Sequence, residues 1–285
     1  EIIEDTTKEV MDKYKSKIDE KSLELVRRFD KNFKELRWKQ LVQGMDGEEN
    51  FFKQRLIPAL EKQERKVLAS LNKKEVKVFE FEFGIDAESK IFVALFEPFI
   101  RNLIAEHGED TYNMLGIDPL TFVSASANVE SYIKREGLKF AKEINKTTKE
   151  KIKKQLIIAE QEGEGIQAVR RRIESVFTEA KTSRAFNIAR SEVARSDNFA
   201  ITEAYKQSGV VVAKEWFTAL DERVCPYCRP LHGKVVSIDK NYFNKGDSFL
   251  GEANTPLVLN YEAIGEPPLH SQCRCTTLPV VKSIR

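Results

Sequence analysis

Four cysteines and two of the three histidines of this chain gather at the ends of one stretch: Cys225, Cys228 and His232 open it, and His270, Cys273 and Cys275 close it. A Cys-x2-Cys turn points two thiolates at one metal ion from a tight knuckle, and a second knuckle far along the chain completes a tetrahedron. Pro226 stiffens the first turn. The spacing favours zinc held by Cys225, Cys228 and Cys273 with either His270 or Cys275. His232 is the weaker donor, because it precedes Gly233 and the strand-like 234–237 and suits a turn. The competing readings are a pair of disulfides, or four reduced thiols in a small core. Disulfides require an oxidising compartment, and nothing in these residues reads as a secretory segment, though they start at Glu1 rather than Met. Four protein ligands leave no open place for water, so a zinc here is structural rather than catalytic.

The whole chain limits what such a site can serve. Its 285 residues can bury a substantial core, in one large or two modest domains. Lys and Arg number 47 against 45 Asp and Glu, a net charge of +2, a balance that does not suggest a protein coated for nucleic acid, so any basic patch must be local. The apolar run 91–96 is too short to cross a bilayer and reads as core.

The elements that must position the knuckles are mostly helical. From Glu1 to about Gln43, Val10, Tyr14, Ile18, Leu23, Val26, Phe29, Phe33 and Leu36 recur at three- and four-residue steps, one stripe of a helix. Gly44-Met-Asp-Gly47 predicts its break. A second helix is expected over about 48–71 with Phe52, Leu56, Leu60, Val67 and Leu71 inward, ended or kinked at Pro58. Residues 77–83 alternate like a strand. Helix returns over 89–106, interrupted at Pro98 and closed by His107-Gly108, and His107 is given no chemistry.

Asp118-Pro119 opens the next element, and 124–145 reads as a helix or a pair of helices. Thr147-x2-Glu150 is a capping-box signature for a helix over 149–160, which Gly163-Glu-Gly165 ends. Ile166, Val169, Ile173, Val176, Phe177 and Ala180 mark the next helix. Two basic runs, Lys149, Lys151, Lys153 and Lys154, then Arg170, Arg171 and Arg172, read first as solvated faces and second as weak contacts for double-stranded DNA. The stretch 183–208 is the most strongly helical, with Phe186, Ala189, Val193, Ile201, Ala204 and Tyr205 inward and Gly209 as its stop. On it, Arg190 and Glu192 cannot face one another, so each should have a partner elsewhere, and Glu192 with Arg195 or Ser196 reads as a local pair, worth little if exposed. Residues 210–220 have the β-branched and aromatic bias of a strand leading through Asp221 into the first knuckle. The polar stretch 239–268 reads as a long excursion anchored at both ends by the shared metal.

The fold class that follows is α+β: a mostly helical N-terminal region, 1–180, and a small α+β module, 181–285, pinned by zinc. Trp216, Asp221, Cys225-x2-Cys228, Leu231-His-Gly233 and Pro267-Pro-Leu-His270-Ser-Gln-Cys273-Arg-Cys275, downstream of Ala189-Arg-Ser-Glu192, resemble the head morphogenesis domain of tailed-phage minor head proteins, the Mu F-like family. The resemblance covers roughly 186–280, and Ser191 departs from it where the family often has Thr. It implies a structural or accessory protein of the phage head, made beside the portal, lying in the capsid interior and in host cytoplasm during assembly, and in some members bound to DNA. It implies no membrane partner and no catalysis, and leaves the oligomeric state open. Two other classes compete: a nuclease or transferase effector, for which three histidines supply few general bases, and a DNA-binding accessory protein using the two basic runs.

Overall fold

The computed structural model describes residues 31–71, 85–218 and 224–281. The expected stripe over Val10, Tyr14, Ile18, Leu23, Val26 and Phe29, the strand at 77–83 and Asp221 lie outside the described residues. The chain is α+β, with long helices followed by short strands. It falls into two compact units that interleave along the sequence. One lies within Glu1–Gly47, Leu103–Ser124 and Arg190–Arg285, and the other within Glu48–Asn102 and Ala125–Ala189. The sequence modules 1–180 and 181–285 divide the chain by motif, and the compact units divide it by packing.

Helix α1 (Lys31–Leu71) runs unbroken through Gly44 and Gly47, where a break was expected. Each glycine costs a helix about 1 kcal/mol, but Leu41, Met45 and Phe52 around them are buried, and full burial of one such side chain returns about 1.5–3 kcal/mol. Helix α2 (Ile85–Leu115) likewise runs through Pro98, as α1 does through Pro58. Both prolines are exposed, as are Gln54 and Ala94 four residues before them. The carbonyls that lose their helical donors belong to exposed residues, within reach of water, and neither proline ends its helix. The two helices carry the same pattern around their prolines: Phe52, Leu56, Pro58, Leu60 and Phe92, Phe96, Pro98, Ile100, with every apolar member buried.

Gly108 does not close α2. A Cβ there would lie 2.0 Å from the Phe122 ring, so glycine is required for packing. The helix stops seven residues later, before Gly116 at φ 75°. Asp118 then caps the single 3-10 turn Pro119–Thr121 by accepting from the Leu120 N–H.

Helix α3 (Ala127–Gln161) is one element, so the capping box at Thr147 is not used. Thr147 donates to the Glu143 carbonyl inside the helix, and the working cap is Ser126, whose hydroxyl accepts from the Val129 N–H. The buried series Ile144, Thr148, Ile152 passes through the supposed boundary without a change of phase, and a continuous apolar stripe outweighs a local cap signal. Helix α4 (Ile166–Glu179) and the π turn Ala180–Arg184 follow. In this unit the rings of Phe96 and Phe140 stack at 4.7 Å and those of Phe52 and Phe99 at 4.8 Å. Gly137 lets the Phe96 ring approach α3.

The other unit is built on α5 (Ala185–Ser208), buried along nearly all of 192–205, and on strand β1 (Val211–Phe217). Phe186, expected inward, is only half-buried. Strand β1 is the centre of an antiparallel sheet between β2 (Val235–Ser237) and β5 (Thr276–Val281). Helix α5 seals one edge of it: Asn198 donates to the Cys275 carbonyl and Tyr205 to the Thr277 carbonyl, alternate residues on one side of the strand. The stretch 239–268, expected to be a polar excursion, is folded. It contains the hairpin β3 (Ser248–Phe249) and β4 (Leu257–Val258), and it buries Tyr242, Phe243, Leu259 and Ile264 against Trp216 and the cysteines. The four buried positions 242, 243, 259 and 264 recur at neither the helical nor the strand period, so they do not register as an element.

Candidate metal centre

The first knuckle is a tight turn in which Cys228 N donates to Cys225 O at 3.1 Å and lies 3.3 Å from Cys225 Sγ. A 3-10 turn over Arg229–Leu231 follows. The second knuckle turns back on itself through Gln272, at φ 64°, so that Cys273 N donates to His270 O. The sheet brings the two together, since β1 precedes the first knuckle and β5 follows directly on the second.

Cys225 Sγ lies 2.9 Å from His270 Nε2, Cys228 Sγ lies 3.3 Å from the same nitrogen, and Cys228 Sγ lies 3.7 Å from Cys273 Sγ. Cys228 thus belongs to two triads, Cys225–Cys228–His270 and Cys228–Cys273–Cys275, in each of which all donor atoms lie within 4.8 Å of one another. None of the four cysteines is joined in a disulfide. Two sulfurs on one tetrahedral zinc, each at 2.3 Å, stand about 3.8 Å apart, which the Cys228–Cys273 separation matches. Thiolate and imidazole donors suit zinc better than calcium or magnesium. These Cys/His clusters could therefore bind a metal.

The donors cannot all be charged at once without one. Hydrogen bonding from Cys228 and then from His270 pulls Cys225 down to about 4. Bonds to Cys225, Cys273 and Cys275 push Cys228 up, so it stays a thiol. Burial works against the His270 imidazolium, but the bond to Cys225 and the Cys273 charge override it and raise it to about 9. A divalent cation would replace these shared protons as the counter-charge and release them on binding.

His232 is turned elsewhere. Its Nδ1 lies 3.2 Å from both the N and the Oγ1 of Thr218, its ring packs on Phe217, and it stands outside both triads. Glu192, read as a local pair with Arg195 or Ser196, is only 9% exposed; Arg195 lies 3.4 Å from it and 3.7 Å from Glu262. The sequence signalled helical phase but not that α5 is surrounded. The pairing of buried His107 with buried Asp197, 3.5 Å apart, had no sequence signal either. A cavity of about 290 Å³ opens beside the cluster, with Trp38, Asp46, Arg190, Gln272 and Arg274 on its wall.

The basic runs lie on α3 and α4. Lys151 is paired with Glu179, and Arg172 with Glu162 and Glu164. Lys153, Lys154 and Arg171 are exposed, and Lys149 and Arg170 half-exposed.

Residues 150–278 match the family model described as Phage Mu protein F like protein. This region of the chain is similar to the Mu F-like family. The matched region holds α4, α5 and both knuckles, and it starts upstream of the 186–280 stretch on which the motif resemblance rests. Over 110 residues the chain is 29% identical to an NAD(+)–arginine ADP-ribosyltransferase EFV of Enterococcus faecalis (strain ATCC 700802 / V583). That match takes in 38% of this chain and 21% of the relative, so the chain spans about a fifth of the length of the curated protein it matches. No solved structure matches the chain. Among the described residues, no helix is long and apolar enough to cross a membrane.

Proposed function

We propose that this chain is a minor head protein of a tailed phage, acting beside the portal in head morphogenesis, whose Cys/His module is an architectural cap on a structural zinc. The observation that carries the reading is the convergence of the two motif halves: Cys225 and His270, 45 positions apart, stand 2.9 Å apart, inside the matched Mu F-like region. Cys225, Cys228, His270 and Cys273 would hold the metal, with Cys275 as a buried neighbour. Two distances support His270 over Cys275 as the fourth ligand, since Nε2 stands near both sulfurs of the first knuckle. The Nδ1 of His270 lies 2.7 Å from the Ser271 carbonyl, the second contact that fixes a ligating imidazole in its tautomer. The zinc would supply cross-linking of two loops and no reaction, because four protein donors close its coordination.

On this reading the partners are the portal and the capsid interior, and the protein resides in the head, passing through host cytoplasm during assembly. Double-stranded DNA is the weaker partner, with Lys153, Lys154 and Arg171 as its exposed contacts. Sedimentation of a tagged chain from phage-producing cells, with and without the portal protein, tests the reading. Portal-dependent travel with assembled heads is expected, and a chain that stays free in both cases removes it.

A second reading has one observation behind it, the relative named as an arginine ADP-ribosyltransferase. It predicts that the purified chain consumes NAD+ and labels an arginine-bearing acceptor. The head-protein reading predicts neither.

A further inference from the structure

We propose that Ser191 is a positioning residue of the metal centre, its hydroxyl holding the second knuckle in the shape that presents His270 and Cys273 to one ion. The inference rests on the metal reading above. From His270 to Cys275 the chain has no regular structure, and its ligands are only as well placed as its backbone. The turn between the two ligands passes through Gln272 at φ 64°, in the left-handed region that side chains other than glycine avoid. The loop's own bond from Cys273 N to the His270 carbonyl favours that turn, and a contact from outside the loop adds to it. The N–H of Gln272 donates to Ser191 Oγ at 3.3 Å.

Two other side chains hold the same loop further on. Trp38 Nε1 donates to the Arg274 carbonyl at 3.0 Å, and Asn198 Nδ2 to the Cys275 carbonyl at 3.1 Å. Both act beyond Cys273, whereas Ser191 acts between the ligands. Asn198 also donates to the Ala194 carbonyl of its own helix and is fully buried, so removing it disturbs α5 directly. Ser191 is only half-buried, and its hydroxyl can be removed with little loss of packing.

The test uses the full chain and zinc competed against a colorimetric chelator. Outer-shell partners of metal ligands typically contribute about ten- to one-hundred-fold in metal affinity. Ser191→Ala is expected to weaken zinc binding by that factor, and Ser191→Thr, which keeps the hydroxyl, to restore it. Gln272→Gly accepts the left-handed turn without strain, so in that background Ser191→Ala should cost clearly less. Melting each variant in excess EDTA separates positioning from bulk stability: Ser191→Ala should melt like the parent without metal and below it with metal. A parent chain that binds no zinc removes the metal reading and this inference together. A parent that binds zinc beside a Ser191→Ala variant that binds as tightly, or that loses as much stability without metal as with it, overturns this inference alone.

Discussion

The helical unit and the knuckle module both bury side chains completely, yet they fix them by different means. In the first, Phe52, Phe92, Phe96, Ile100 and Phe140 are placed by helical periodicity, and the Phe140 ring meets that of Phe96 stacked and that of Phe52 tilted. Such contacts are numerous, weak and non-directional, so a volume-conserving change can be absorbed. In the second, the irregular loop and the strands beside it are held bond by bond: Trp38 to the Arg274 carbonyl, Asn198 to Cys275, Tyr205 to Thr277, Tyr242 to Lys214. A directional bond has no neighbour to share its loss, and a buried group left without its partner costs about 1–3 kcal/mol. The helical unit should therefore fail by volume, and the module by single atoms.

The largest effect expected is Cys228→Ser, which changes one atom at the sulfur common to both triads. The purified chain should go from about one zinc to none, since structural zinc binding is coupled to folding, and the module should lose protection of β1 and β5 amides from hydrogen exchange. A variant that keeps its metal and its protection would break the comparison on the module's side. Phe96→Ala tests the other side. It removes a fully buried ring, 4.7 Å from that of Phe140, and should cost about 3–5 kcal/mol in urea unfolding. Its zinc content should not change, and Phe96→Leu should recover most of the loss.

Lys214 sharpens the contrast, because it is a buried charge in the module's central strand. Its side chain is 2% exposed, and its nearest carboxylate oxygen, on Glu266, lies 4.0 Å away. Burial lowers its pKa from 10.5 to about 8, against the pull of Glu266. Below pH 8 the amine is charged in both states and folding bears the cost of burying it. Between pH 8 and 10.5 the unfolded chain binds the proton more strongly than the folded one, so stability rises with pH. Lys214→Met removes the effect: the stability of the variant relative to the parent should fall by up to about 3 kcal/mol from pH 7 to pH 10.5. A pH-independent difference in urea midpoints would contradict this.

The same contrast governs what could be read from the sequence. Helices over 166–179 and 185–208 and strands β1 and β2 are legible because their apolar residues repeat at the period of the element. The knuckles are legible because ligand chemistry restricts residue type and spacing. What misled were local punctuation marks, Gly44, Gly47, Pro58, Pro98, Gly108 and Thr147, each of which sits inside a helix. A residue-level preference of about 1–3 kcal/mol is outweighed when the buried stripe continues past it. Polar partnerships left no trace at all. Gln63 donates to Asn145, which donates to Ser89, in the middle of an apolar core, and no spacing rule joins residues from three helices. Ser191 and Trp38 are of this kind, so the loop supports are invisible where the ligands are plain.

The smallest effect decides between two signals of the same type on one helix. Ser126 and Thr147 both look like caps, but only Ser126 stands at the start of α3, accepting from Val129 N at 3.3 Å. Ser126→Ala should cost about 1 kcal/mol, the usual loss of a side-chain cap. Thr147 bonds a carbonyl that already accepts within the helix, and β-branching lowers its helix propensity. Thr147→Ala should therefore be neutral or stabilise by a few tenths of a kcal/mol. Urea midpoints of the two variants give the answer. A loss at Thr147 larger than at Ser126 would mean that α3 is two helices meeting near residue 147, and that the continuous stripe through Ile144, Thr148 and Ile152 does not override a local cap after all.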